Sequence, residues 1–122
     1  MISIDYRSGE PIYDQIVGGI LRLKAVGALS AGDKLPSVRS LALEIGINPN
    51  TVQKAYGILE SSGVIYSVAG KGSFLSGDEN AMELITASAR SEFSQAVRRA
   101  KIAGLTAEEL LTLVREEGGE GK

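Results

Sequence analysis

Residues 37–75 read SVRSLALEIGINPNTVQKAYGILESSGVIYSVAGKGSFL, and their caps, stops and apolar spacings set the expected architecture. Ser37 suits the N-cap of a helix in which Val38, Leu41, Ala42 and Ile45 share one face. Gly46 ends that helix, since glycine tolerates the left-handed geometry of a C-terminal cap. Asn48 is the next N-cap, and Pro49 takes the first helical position, where its missing N–H costs nothing. Val52, Ala55 and Leu59 line the buried side of this helix, which stops at Gly63. Two capped helices joined by a turn of about three residues containing glycine make a helix-turn-helix. Residues 64–68 (VIYSV) are rich in β-formers, Ala69-Gly70-Lys71-Gly72 is a turn, and Ser73-Phe74-Leu75 is a second strand. A two-stranded ribbon directly after a helix-turn-helix is the wing of a winged helix.

Towards the N-terminus, Leu35-Pro36 sets an extended approach, and Gly27 with residues 30–33 closes an earlier helix. That helix starts at about Pro11 and runs to about Val26, with Ile12, Ile16, Ile20 and Leu23 at helical spacing. Gly18 and Gly19 lie inside it. They mark either a weak helix or a close crossing by another helix. Residues 2–6 (ISIDY) alternate and are expected as a short edge strand.

Towards the C-terminus, residues 79–103 form an expected amphipathic helix with a stripe of Met82, Ile85, Ala89, Phe93, Ala96, Val97 and Ala100. Gly104 ends it. Thr106 and Glu109 complete a capping box for a last helix with Leu110, Leu111 and Val114 on its apolar side. The tail, residues 117–122, is expected to fray. The fold class is therefore mainly α with a small β-hairpin. A winged helix-turn-helix occupies residues 1–77, and a two-helix region occupies residues 78–122.

Composition narrows the chemistry. The 122 residues include no Cys, His or Trp, which excludes disulfides, thiolate or imidazole metal sites and His-based triads. No cofactor or metal is expected, and the carboxylates and lysines are too scattered to suggest an enzyme. Residues 1–7 lack a basic segment followed by an apolar stretch, and no apolar run approaches ~18 residues. No membrane association and a cytoplasmic location are the expectations. The net charge of −2 is unevenly placed. Between Lys34 and Phe74, four basic residues (Lys34, Arg39, Lys54, Lys71) face two acidic ones (Glu44, Glu60), and the acid excess lies beyond residue 77.

On a helical wheel, Asn50, Gln53, Lys54, Gly57 and Ser61 point away from the buried side of the third helix, with Thr51 at the flank. Recognition helices meet base edges with their N-terminal residues. Asn and Gln bond bidentately to adenine, Thr touches a thymine methyl, and Lys reaches guanine or phosphate. An ordinary solvated helix face would look the same. Arg39 points away from the Val38/Leu41/Ala42 face and can reach DNA while Ser37 and the helix start receive a phosphate. Its alternative is a surface Arg paired with Glu44 or with solvent. Lys71 between Gly70 and Gly72 is either a wing tip that enters a groove or a plain tight turn. Tyr56 either directs its hydroxyl to a phosphate or only packs.

The stretches PIYDQI, GDKLPSVRSLA, INPNTVQKAYGILESSGVI and GKGSFL occur in an order and spacing that resemble the DNA-binding domain of the GntR family of bacterial transcription regulators. The Asn-Pro-Asn-Thr-Val turn and the short two-helix tail are most similar to its YtrA-like subfamily. The resemblance implies a winged helix with a small helical dimerisation region. It places the family's DNA contacts on Arg39, on Asn50, Thr51, Gln53 and Lys54, and at the wing tip on Gly70, Lys71 and Gly72. The sequence departs from many relatives in Gly18-Gly19, and it has Asn50 and Gln53 where many relatives outside this subfamily have Arg, so the resemblance does not carry over a base preference.

Residues 78–122 are too few for the larger effector-binding domains of most regulators in this family, and a ligand pocket needs ~300 Å3 enclosed by a scaffold. The stripe along residues 82–100 is longer than the last helix can cover. A second copy of the chain covers it in one reading, and the chain's own winged helix in the other. The expected function is a dimeric, sequence-specific repressor on an inverted-repeat operator in double-stranded DNA, with any small-molecule effector unspecified. The alternative is a winged helix that binds a partner protein.

Overall fold

The computed structural model describes residues 2–118, and the chain divides into two compact units between Glu83 and Leu84. Helix α1 spans Ile12–Ala25, α2 Val38–Ile45 and α3 Pro49–Ser61. They are followed by strands β1 (Ile65–Val68) and β2 (Gly72–Leu75) and helices α4 (Ala81–Ile102) and α5 (Ala107–Gly118). The mainly helical winged helix with a hairpin is the architecture the sequence calls for.

The caps do what their residue types allow. The Ser37 Oγ accepts from the Ser40 backbone N–H at 3.0 Å, and the Asn48 Oδ1 accepts from that of Asn50 at 2.8 Å. Pro49 follows as the first residue of α3, and Gly46 closes α2 in the left-handed region at φ 69°. Ile16 and Ile20 of α1, Leu41 of α2, Val52, Ala55 and Leu59 of α3, and Ile65 and Leu75 of the hairpin are all buried in one core. Burying each large aliphatic side chain contributes about 1.5–3 kcal/mol before the cost of ordering it.

The hairpin pairs Ile65 with Leu75 and Val68 with Gly72. Its turn closes through a 2.9 Å bond from the Lys71 N–H to the Val68 carbonyl, with Gly70 at φ 76°, as a type II turn requires at its third position. The free edge of β2 is also paired. Leu35 N–H donates to the Ser73 carbonyl and Leu75 N–H to the Asp33 carbonyl, each at 2.8 Å, around a bridge between Lys34 and Phe74. The approach to α2 is thus a third extended chain of the wing.

Two sequence expectations need correction. Residues 2–6 are not a strand: among the described residues no backbone ladder pairs with them, and the side-chain amide of Gln15 takes its place. Its Oε1 accepts from Asp5 N–H at 2.8 Å, and its Nε2 donates to the Asp5 carbonyl at 3.0 Å. Pro11 is the N-cap of α1, at the start expected from the sequence. The glycine pair marks no helix crossing. A Cβ on Gly19 would meet the Ile2 side chain at 3.0 Å, and one on Gly18 would meet only the Arg22 guanidinium at 3.6 Å. The N-terminal segment, not a helix, lies over Gly19.

In the second unit, α4 ends at Ile102 and the chain turns at Gly104 (φ 106°), and α5 begins with the expected capping box. The Thr106 N–H donates to the Glu109 Oε1 at 2.8 Å and the Glu109 N–H to the Thr106 Oγ1 at 3.2 Å. Glu117 and Gly118 remain helical, and the rest of the expected frayed tail lies outside the described residues. An apolar groove of about 280 Å3 runs between the two helices. Phe93, Val97 and Ala100 of α4 line it, with Leu110 and Val114 of α5. Leu105 and Leu113, which the sequence reading did not include, also line it, whereas Leu111, Met82, Ile85 and Ala89 do not. The groove is open: Phe93 is 56% exposed and Val114 46%. Among the described residues no helix is long and apolar enough to cross a membrane.

Candidate nucleic-acid interface

The buried sides of α2 and α3 determine which side chains face outward. With Val52, Ala55 and Leu59 in the core, Asn50, Gln53, Lys54 and Gly57 are exposed and Thr51 is half-buried at the flank. The first two turns of α3 therefore present amides, a hydroxyl and an ammonium on one surface. Arg39 is exposed in the first turn of α2. A helix start leaves backbone amides without intrahelical acceptors, and Ser37 satisfies that of Ser40. The neighbouring amides remain a ready anion site.

At the wing, Gly70, Lys71 and Gly72 are all exposed. Gly72 adopts φ 119°, a conformation that favours glycine, and the Lys34 Cε lies 3.0 Å from where its Cβ would be. A cleft of about 410 Å3 separates the wing tip from the approach to α2, with Lys34, Ser37 and Lys71 on its walls. The structure thus brings Ser37 and the wing-tip residues to one cleft. Arg39 and the polar face of α3 lie on the adjoining helices.

Two residues behave differently from the simplest reading. Tyr56 is 3% exposed, and its hydroxyl donates to the Pro36 carbonyl at 2.6 Å. Burial, and secondarily the negative charge of Glu44, push that hydroxyl up to about 12. Its only proton is committed inside the fold. Tyr56 therefore holds the approach to α2 against α3 and offers no phosphate donor, which corrects its place among the DNA contacts. Lys54 does not extend freely into solvent. Its Nζ sits 3.9 Å from the centre of the Tyr13 ring, a cation–π contact that holds the ammonium towards α1. Tyr13 was not a candidate. It is 41 positions from Lys54, and only the packing of α1 on α3 joins them.

A helix-turn-helix with an exposed polar face on its second helix and a basic hairpin beside it defines a winged-helix DNA-binding protein. Comparison with known proteins agrees. Residues 12–75 match the family described as bacterial regulatory proteins, gntR family. Over its whole length the chain is 40% identical to the HTH-type transcriptional repressor YtrA of Bacillus subtilis, covering 95% of that protein. A transcriptional antiterminator from Listeria monocytogenes EGD-e has a similar structure, with a TM-score of 0.67 at 34% identity, covering 98% of this chain and 94% of that one. The DNA-binding domain of AraR in complex with operator ORR3 superposes with a TM-score of 0.50 at 33% identity, over 52% of this chain and 77% of that one. The chain belongs to the GntR family, and it resembles the YtrA-type members along its full length. It is a DNA-binding transcriptional regulator and not an enzyme.

Proposed function

We propose that this regulator is a repressor that binds an inverted-repeat operator as a homodimer in the cytoplasm. The observation that carries the reading is the exposed run of Asn50, Gln53 and Lys54, with Thr51 at its flank, at the start of α3. Asn50 and Gln53 present side-chain amides suited to adenine, and Thr51 a methyl suited to thymine, in the major groove. Arg39 and Ser37 position the backbone from the start of α2. Lys54, held towards Tyr13, meets the flanking phosphate rather than the centre of the groove. Gly70, Lys71 and Gly72 bring the wing backbone to the minor groove.

Residues 1–77 form the DNA-binding domain and residues 78–122 the dimerisation region. The open groove between α4 and α5 supports the second assignment, because an apolar surface of this kind favours a protein partner over water. A two-fold dimer would present two α3 helices to half-sites about 34 Å apart. Repression is supported by the whole-length likeness to a protein named as a repressor. DNA operators as targets are supported by the AraR complex.

Selection of bound duplexes from a random DNA pool, followed by affinity measurements across salt concentrations, tests the reading. An enriched palindromic motif bound with a steep salt dependence is expected. No enrichment, together with affinity for DNA indifferent to salt, would instead indicate that α3 binds a partner protein.

A further inference from the structure

Lys34 stands outside the recognition-helix, second-helix and wing-tip positions assigned above, yet the fold holds it among them. Its backbone is stitched to β2 on both sides, through the Leu35-to-Ser73 and Asp33-to-Leu75 bonds. Its side chain runs along the wing past Gly72, with Cε 3.0 Å and Nζ 3.8 Å from the point a Gly72 Cβ would occupy. The adjacent carboxylate of Asp33 is turned away and accepts from the Ser30 N–H at 2.8 Å. The exposed stem thus passes beside Gly72, and Lys34 lines the same cleft as Ser37 and Lys71.

We propose that Lys34 is a further DNA contact, which holds a backbone phosphate in the cleft between the wing tip and the start of α2. The chemistry of the cleft favours an anion. Two ammonium groups and the hydroxyls of Ser37, Ser67 and Ser73 line it, and among the described residues no carboxylate belongs to its walls. Its volume of about 410 Å3 suits a length of sugar-phosphate chain, and its walls come from the wing and from the approach to α2. The bridge to Phe74 fixes the Lys34 backbone beside the wing, so the lysine side chain starts from a set point when it engages a phosphate. Gly72 then has two uses, as a turn residue and as the floor on which Lys34 lies.

The inference rests on the DNA-binding reading, and the test separates the two. The probes are a duplex selected from a random pool by the wild-type protein and a scrambled duplex of equal length. Kd is measured by fluorescence anisotropy from 50 to 200 mM salt for wild type, Lys34→Gln and Lys34→Arg. Each phosphate contact contributes a slope of about 0.9 to the dependence of log affinity on log salt. Over this fourfold range that is about 3.5-fold in affinity for each engaged head. Lys34→Gln is expected to lose that slope on both duplexes, to keep its preference between them and to keep its melting temperature. Lys34→Arg is expected to retain the slope. An unchanged slope in Lys34→Gln beside intact wild-type binding overturns the role of Lys34 and leaves the DNA reading standing. Equal loss of slope in both variants overturns the charge argument. Failure of the wild type to bind either duplex overturns both readings.

Discussion

Replacing Tyr56 with Phe removes one oxygen from the interior while leaving the ring in place. The hydroxyl it removes makes a 2.6 Å bond to Pro36, one residue before the cap of α2. A hydrogen bond of this kind contributes about 0.5–1.5 kcal/mol net. Pro36 is exposed, so water can reach its carbonyl once the hydroxyl is gone, and the cost stays near ~1 kcal/mol instead of the larger penalty of an orphaned acceptor. For a domain of this size that corresponds to a melting temperature lower by about 4–8 °C at neutral pH. The loss should depend on pH in a definite direction. The folded hydroxyl titrates at about 12, above its ordinary 10.0, because burial and the Glu44 charge disfavour the phenolate. The stabilisation by Tyr56 is therefore complete below pH 10 and is lost as pH rises from 10 towards 12, where the unfolded chain ionises and the folded chain does not. Denaturation of both proteins between pH 7 and 12, with ultraviolet detection of phenolate, measures this. The wild-type advantage should shrink above pH 10, and a phenolate appearing near pH 12 should be missing from the variant. The salt dependence of DNA binding should be unchanged, since the hydroxyl faces Pro36. Equal stability of the two proteins across the whole range, or a reduced salt slope in Tyr56→Phe, would refute the assignment.

Three further outcomes follow from named contacts. Asn50→Ala should cost ~1–3 kcal/mol of discrimination against the scrambled duplex while non-specific binding persists, and equal losses on both duplexes in anisotropy titrations would remove Asn50 from base reading. Gly18→Ala should stabilise the first unit by about 0.5–1 kcal/mol in urea denaturation, because the added Cβ meets only the Arg22 guanidinium at 3.6 Å; Gly19→Ala should gain less, since Ile2 must move. Val97→Asp puts a carboxylate into the apolar groove and, on the proposed dimer, should lower the molar mass in light scattering relative to the wild type at equal concentration.

The local code of residues 37–75 is strong enough to be read without a structure. Ser37, Gly46, Asn48 and Pro49 act on backbone groups within a few positions of themselves, and the alternation of Val52, Ala55 and Leu59 needs only helical geometry. The outward placement of Asn50, Gln53 and Arg39 follows from the same periodicity. The capping box of Thr106 and Glu109 is legible for the same reason.

Contacts between distant segments carry no such signature. Residues 2–6 alternate like a strand, but whether a strand forms depends on a neighbour, and Gln15 took that place. Gly19 signals a close approach without naming Ile2 as the group that approaches. The hydroxyl of Tyr56, the ammonium of Lys54 and the stem of Lys34 each find partners 20 or more positions away, at Pro36, Tyr13 and Gly72. Periodicity places a side chain on a face, because the face is set by bonds along one helix. What that side chain touches is set by the burial of α1, α2, α3 and the wing around one core, and that arrangement exists only once the chain has folded.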